Sequence, residues 1–207
     1  MSDYFSDLNT QDMAPNRYYD RHFDCDAIKI LPGEYYATTE KTLILTVLGS
    51  CVAVCLRDPK LKIGGMNHFL LPNDNSVGDS PVSASARYGT YAMEILMTQI
   101  MKLGGDKNRL EAKVFGGGAV LQGMTTNTVG QRNAEFVVDF LNTENIPIMA
   151  SDLLDIYPRK VYFFPETGEV KVRKLKSLHN NTILDRETEY RLKLKHSAQL
   201  SGVVELF

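Results

Sequence analysis

A thiol and an imidazole stand near one another in the chain. Cys51 sits in Gly49-Ser50-Cys51, a small, flexible stretch between two apolar runs. His68 follows Asn67 in the segment Ile63–Leu71, which opens on Gly64-Gly65. An imidazole that takes the thiol proton leaves a thiolate, the attacking form of cysteine, so the pair is the minimum set for nucleophilic catalysis. The small residues before Cys51 let another chain approach the thiol. A structural role is also open, because free cysteine packs as a small core residue. A single histidine in an apolar strand is often simply buried and satisfied. Residue type and spacing leave both readings standing.

The elements that must position this pair are short and apolar. Leu43–Leu48 and Val52–Leu56 are leucine-rich and β-branched runs bounded by turn formers, and they predict buried strands. Asp58-Pro59 marks a turn before the His68 strand. One strand, a turn and a second strand therefore separate Cys51 from His68, which makes the two antiparallel neighbours when their faces match. Cys55, four on from Cys51, points to the same side of an extended strand and reads as core filler.

The chain has 207 residues, 43% of them hydrophobic and 23% charged, so it can bury a core without disulfides or metals. A net charge of −2 gives no reason to expect nucleic acid or an anionic membrane as partner. No stretch reaches the ~20 apolar residues of a membrane span, and the polar start lacks the apolar core of a signal peptide. Three cysteines, an odd number, point to a reducing cytoplasm rather than a disulfide framework. Cys25 and His22 have no second half of a metal site.

Residues 1–27 read as a polar extension that is disordered or lies along the surface, 28–176 as one α/β domain, and 177–207 as a polar, basic tail with a helix from Arg186 to Lys195. Within the domain, Ile28–Leu31 and Tyr35–Thr39 predict two strands around a Pro32-Gly33-Glu34 turn. Asn73–Ser85 predicts a long loop flanking the site. Ala86–Leu103 is the clearest helix, closed by Gly104-Gly105, with Met93, Met97 and Met101 on one face packed against the sheet. Leu110–Phe115 predicts a strand. Gly116-Gly117-Gly118 after it matches no phosphate-loop pattern and serves either to aim backbone amides or to permit tight packing. Met124–Val129 reads as a loop. Asn133 is a candidate cap for a helix over Ala134–Glu144. Ile146–Ser151 predicts a strand, and Lys160–Phe164 with Glu169–Leu175 a hairpin.

Taken in order, GSCVAVCLRDP, GGMNHFLLP, ARYGTYAMEILMTQIMKLGG, LEAKVFGGGAVL, VGQRNAEFVVDFL and the hairpin ending VRKL resemble the chemoreceptor glutamine deamidase family CheD. The resemblance covers nearly all of 28–176. It implies a three-layer α/β/β sandwich, similar to the catalytic domains of deamidating toxins. It also implies hydrolysis of selected glutamine amides in methyl-accepting chemotaxis receptors, and a CheC-type phosphatase as a further partner. Carried over, the nucleophile is Cys51 and the base His68. A threonine that orients the histidine falls on Thr46, although some relatives carry it one place earlier, where this chain has Leu45. Gly49, Ser50 and Asn67 are the candidates for holding the substrate amide and its oxyanion. The thiolate attacks the amide carbonyl, His68 protonates the departing ammonia, and water cleaves the thioester. No metal and no organic cofactor is needed.

Two rival readings remain at this level. One is a binding module that tunes a phosphatase or receptor with little turnover. The other, a metal site from Cys51, Cys55 and His68, has only three ligands and no visible supporting pattern.

Overall fold

The computed structural model describes residues 16–71, 84–120, 129–176, 185 and 187–194. The expected loops at 73–85 and 124–129 lie almost wholly outside these residues. Among the described residues, ten strands form two five-stranded sheets. The first sheet runs β1 (Asn16–Asp20), β2 (Cys25–Lys29), β4 (Thr42–Leu48), β9 (Arg159–Phe164), β10 (Glu169–Lys174). The second runs β3 (Tyr35–Thr38), β6 (Ile63–Phe69), β5 (Val52–Asp58), β7 (Glu111–Gly116), β8 (Ile148–Leu153).

Sheet pairing begins earlier in the chain than the sequence suggests. β1 and β2 are antiparallel from Asn16↔Lys29 to Asp20↔Cys25, so the latter part of the expected extension is sheet. The polar, aromatic-dotted sequence Asn16–Asp20 hid this, because β1 is an edge strand with mostly exposed side chains and so shows no apolar alternation. Cys25 packs with Ala27, Leu43 and Leu45 rather than with His22.

β4 and β5 are buried on both faces, which is why each reads as a continuous apolar run. They belong to different sheets, and only Gly49-Ser50-Cys51 links them. The turn at Pro32-Gly33-Glu34 makes a similar crossing from β2 to β3, with the Glu34 carboxylate accepting from the Leu31 amide at 2.8 Å.

Strand β5 divides the core by its two-residue period. Val52, Val54 and Leu56 pack with Met93, Leu96 and Ile100 of α1 (Ala84–Lys102) and with Val137 and Leu141 of α2 (Val129–Thr143). Each such side chain contributes about 2 kcal/mol by burial. Met101 is the exception on its face, being 40% exposed. Cys51, Ala53 and Cys55 turn the other way, toward Ile44, Leu48, Val161 and Phe163 of the first sheet. Helix α2 joins β7 to β8, which are parallel and so need a crossover. It begins at Val129, five positions before the expected start, so Asn133 is interior and caps nothing.

Candidate active site

The site lies between the two sheets. Antiparallel pairing sets Val52 opposite Phe69 and Ala53 opposite His68. Two residues back from Ala53, just ahead of β5, Cys51 therefore falls on the same face as His68 and diagonal to it. Both are buried, with 0% and 3% of their surfaces exposed.

Thr46 approaches from the first sheet. Its hydroxyl oxygen is 2.7 Å from Nδ1 of His68, and the hydroxyl donates to the Ile30 carbonyl at 2.8 Å. A hydroxyl has one proton, and here it is committed to Ile30. Thr46 must therefore accept from Nδ1–H, which leaves Nε2 as the basic nitrogen of the ring. Nε2 is buried and has no hydrogen-bond partner among the described residues. Burial also lowers the His68 pKa to about 3, so the ring is neutral at ordinary pH and able to accept a proton. Leu45, the alternative position for a threonine, turns to the far side of its sheet against Cys25 and Leu43.

The link Gly49-Ser50-Cys51 is fixed from two sides. Gly117 N–H donates to the Cys51 carbonyl and Gly118 N–H to the Gly49 carbonyl, each at 2.8 Å. Gly116 adopts φ 111°, and a Cβ there would lie 2.2 Å from the Cys51 carbonyl oxygen. The glycine run therefore serves close packing against the cysteine, and two of its amides are spent on that link. From the other side Asn133, fully buried, donates to the Ser50 carbonyl at 2.8 Å and accepts from the Leu71 amide at 2.9 Å.

With its carbonyls tied back, the link turns its amides toward one point. Gly49 N–H and Cys51 N–H both donate to Oε1 of Glu187, at 3.1 and 3.2 Å, and the Ser50 hydroxyl donates to Oε2 at 2.6 Å. Two backbone donors and a hydroxyl converging on one carboxylate beside a thiol form a cradle with the chemistry to hold an oxyanion. A Cβ at Gly49 would lie 2.7 Å from Glu187 Oε1, so glycine is what leaves room for the occupant. Beside His68 opens a cavity of about 260 Å³, lined among others by Pro32, Gly33, Tyr88, Tyr91 and Tyr190.

Residues 70–174 match the protein family described as CheD chemotactic sensory transduction. The chain is 67% identical over 193 residues to the probable chemoreceptor glutamine deamidase CheD 1 of Shewanella oneidensis, covering 93% of each chain. The chain belongs to the CheD family. It is also 57% identical over 195 residues to the probable chemoreceptor glutamine deamidase CheD 1 of Dechloromonas aromatica, covering 94% of this chain and 96% of that one. The corresponding protein of Herminiimonas arsenicoxydans is 57% identical over 202 residues, covering 98% of this chain and 99% of that one.

In this CheD chain, five of the six residues singled out in the sequence gather at one place: Thr46, Gly49, Ser50, Cys51 and His68. Asn67 does not join them. It borders the cavity, but strand alternation turns its side chain to the α1 side, where Oδ1 accepts from Val54 N–H at 3.0 Å and Nδ2 donates to the Ala92 carbonyl at 2.9 Å. It ties β6 to α1 and contributes no donor to the cradle.

Cys55 shares the face of Cys51 but is core, with burial pushing its thiol pKa up. Sequence reasoning missed Asn133 as the clamp on Ser50, and Glu187 and Arg191 altogether. The available signal was the spacing of Glu187, Tyr190 and Arg191, which places them on one face of a helix. Among the described residues, no group of three or more His, Cys, Asp or Glu is placed to hold a metal ion, and no helix is long and apolar enough to cross a membrane.

Proposed function

We propose that this chain hydrolyses the side-chain amide of glutamines in methyl-accepting chemotaxis receptors, giving glutamate and ammonia, with Cys51 as nucleophile, His68 as base and Thr46 as the residue that orients it. The single observation that carries this reading is the cradle of Gly49, Ser50 and Cys51 donors beside a thiol whose neighbouring imidazole has a free basic nitrogen. The names of the CheD relatives supply the substrate class.

Nε2 of His68 takes the thiol proton and the sulfur adds to the amide carbon. The Gly49 and Cys51 amides hold the developing oxyanion, a contribution of ~3–4 kcal/mol per donor. His68 returns the proton to the leaving ammonia. Water activated by the same nitrogen then cleaves the thioester.

The placement of α1 and α2 on one face of the second sheet, with the first sheet on its other face, supports reading the fold as an α/β/β sandwich like that of deamidating toxin domains. A cytoplasmic location fits three cysteines that are all free. A CheC-type phosphatase as partner rests on the family resemblance alone.

The test is ammonia release together with a mass gain of about one dalton per site on a receptor cytoplasmic domain, comparing wild type with Cys51→Ala. A gain seen only with wild type supports the assignment. No gain on several receptors with folded wild type overturns it, and retained receptor binding in that case marks a binding module.

A further inference from the structure

The occupant of the cradle belongs to this chain. Residues 187–194 are helical, and Glu187 at their start is buried to 4% exposure with its carboxylate on Gly49, Ser50 and Cys51. Three and four positions on, Tyr190 and Arg191 lie on the same helix face. Tyr190 hydrogen-bonds Tyr88 and packs on Gly33, where any Cβ would collide with its ring. Arg191 donates to the Ser50 hydroxyl at 3.0 Å and lies 3.9 Å from the Glu187 carboxylate.

A glutamate side chain on a helix is what deamidation of a helical glutamine leaves behind. Building on the deamidase reading, we infer that residues 187–194 are a tethered product mimic. The Glu187 seat is the side-chain amide site for a helical glutamine substrate, and tail and substrate exclude one another. The tail also outlines what a substrate helix presents: glutamine at one position, an aromatic ring three on against Gly33 and Tyr88, and a cation four on against Ser50. While the tail is docked the thiol is held protonated, by burial first and then by the charge and hydrogen bond of Glu187, with Arg191 opposing. Docking therefore both fills the site and suppresses the nucleophile.

The full-length chain carrying Glu187→Gln provides the test, because it presents an amide where the carboxylate sits. Cys51 Sγ bonds to the side-chain carbon at position 187 and the C–N bond breaks. Nitrogen leaves as ammonia with the thiol proton relayed by His68. Water then cleaves the S–C bond, restoring the thiol and leaving a carboxylate. The expected result is a gain of about one dalton at position 187, absent from the same variant carrying Cys51→Ala.

Glu187→Ala supplies a second readout. If the site is open about a tenth of the time or less, this variant lowers KM for a receptor domain about tenfold or more. Alkylation of Cys51 by iodoacetamide quickens by the same factor. Wild type that deamidates receptor, with unchanged KM and alkylation in Glu187→Ala and an intact amide in Glu187→Gln, would overturn the mimic and leave the deamidase standing. Faster alkylation in Glu187→Ala with no deamidation of receptor or of position 187 would overturn both.

Discussion

Thr46 and His68 meet across the gap between two sheets, 2.7 Å apart, although no backbone pairing joins their strands. The contact sets the tautomer of the imidazole, because the only hydroxyl proton of Thr46 goes to Ile30. Thr46→Val removes the acceptor for Nδ1–H and lets the ring turn or exchange tautomers. We expect kcat for deamidation to fall about tenfold to a hundredfold, the equivalent of one buried hydrogen bond lost. Thr46→Ser keeps the hydroxyl and should recover most of the rate, which steady-state kinetics on a receptor domain will check.

His68 makes stability depend on pH in a known direction. Its pKa is lowered by burial from 6.5 to about 3, so between these values the unfolded chain binds a proton that the folded chain refuses. Stability is then full above the upper value and lost as pH falls through the window, by up to ~1.4 kcal/mol per pH unit. Urea midpoints measured across that window should show the slope in wild type. His68→Gln should lack it.

Asp58 gives a second acid-sensitive window, far from the site. Its buried carboxylate is held down to about 2, first by the Arg109 guanidinium at 2.5 Å and then by the amides of Asp106, Leu61 and Lys60. A depressed carboxyl pKa contributes stability above its ordinary value of 3.8 that disappears as pH falls toward 2. Asp58→Asn should cost about 2 kcal/mol at neutral pH. Its denaturation midpoint should approach that of wild type as the pH is lowered through the same window.

Asn133 holds the Gly49-Ser50-Cys51 link in place through the Ser50 carbonyl. Asn133→Ala strands the Ser50 carbonyl and the Leu71 amide inside the protein, at a cost of about 2–3 kcal/mol. The loosened link should also lower kcat more than it raises KM. Thermal melting and kinetics read the two effects separately, and a loss of stability with kcat unchanged would show that the clamp does not position the cradle.

Much of this protein can be read from local pattern. Leu43–Leu48 and Val52–Leu56 announce strands because burial on both faces leaves no polar alternation. The hairpin of β9 and β10 follows from a turn with Gly168 at φ 76° between two alternating runs. Cys51 and His68 stand out because their chemistry is scarce in such runs.

What local pattern does not contain is which strand pairs with which, and so which residues face each other. The sequence of a three-residue link does not tell a hairpin turn from a crossing, and Gly49-Ser50-Cys51 crosses between sheets and thereby puts Thr46 opposite His68. Asn133 looks like a helix cap because asparagine suits that place. Its buried role follows only from α2 packing over the Ser50 carbonyl. Glu187 reads as a solvated charge in a polar segment. Burying a carboxylate becomes favourable only where distant residues converge three donors on it, and those donors lie more than a hundred residues away in the chain. Long-range pairing decides such contacts, and residue periodicity carries no record of it.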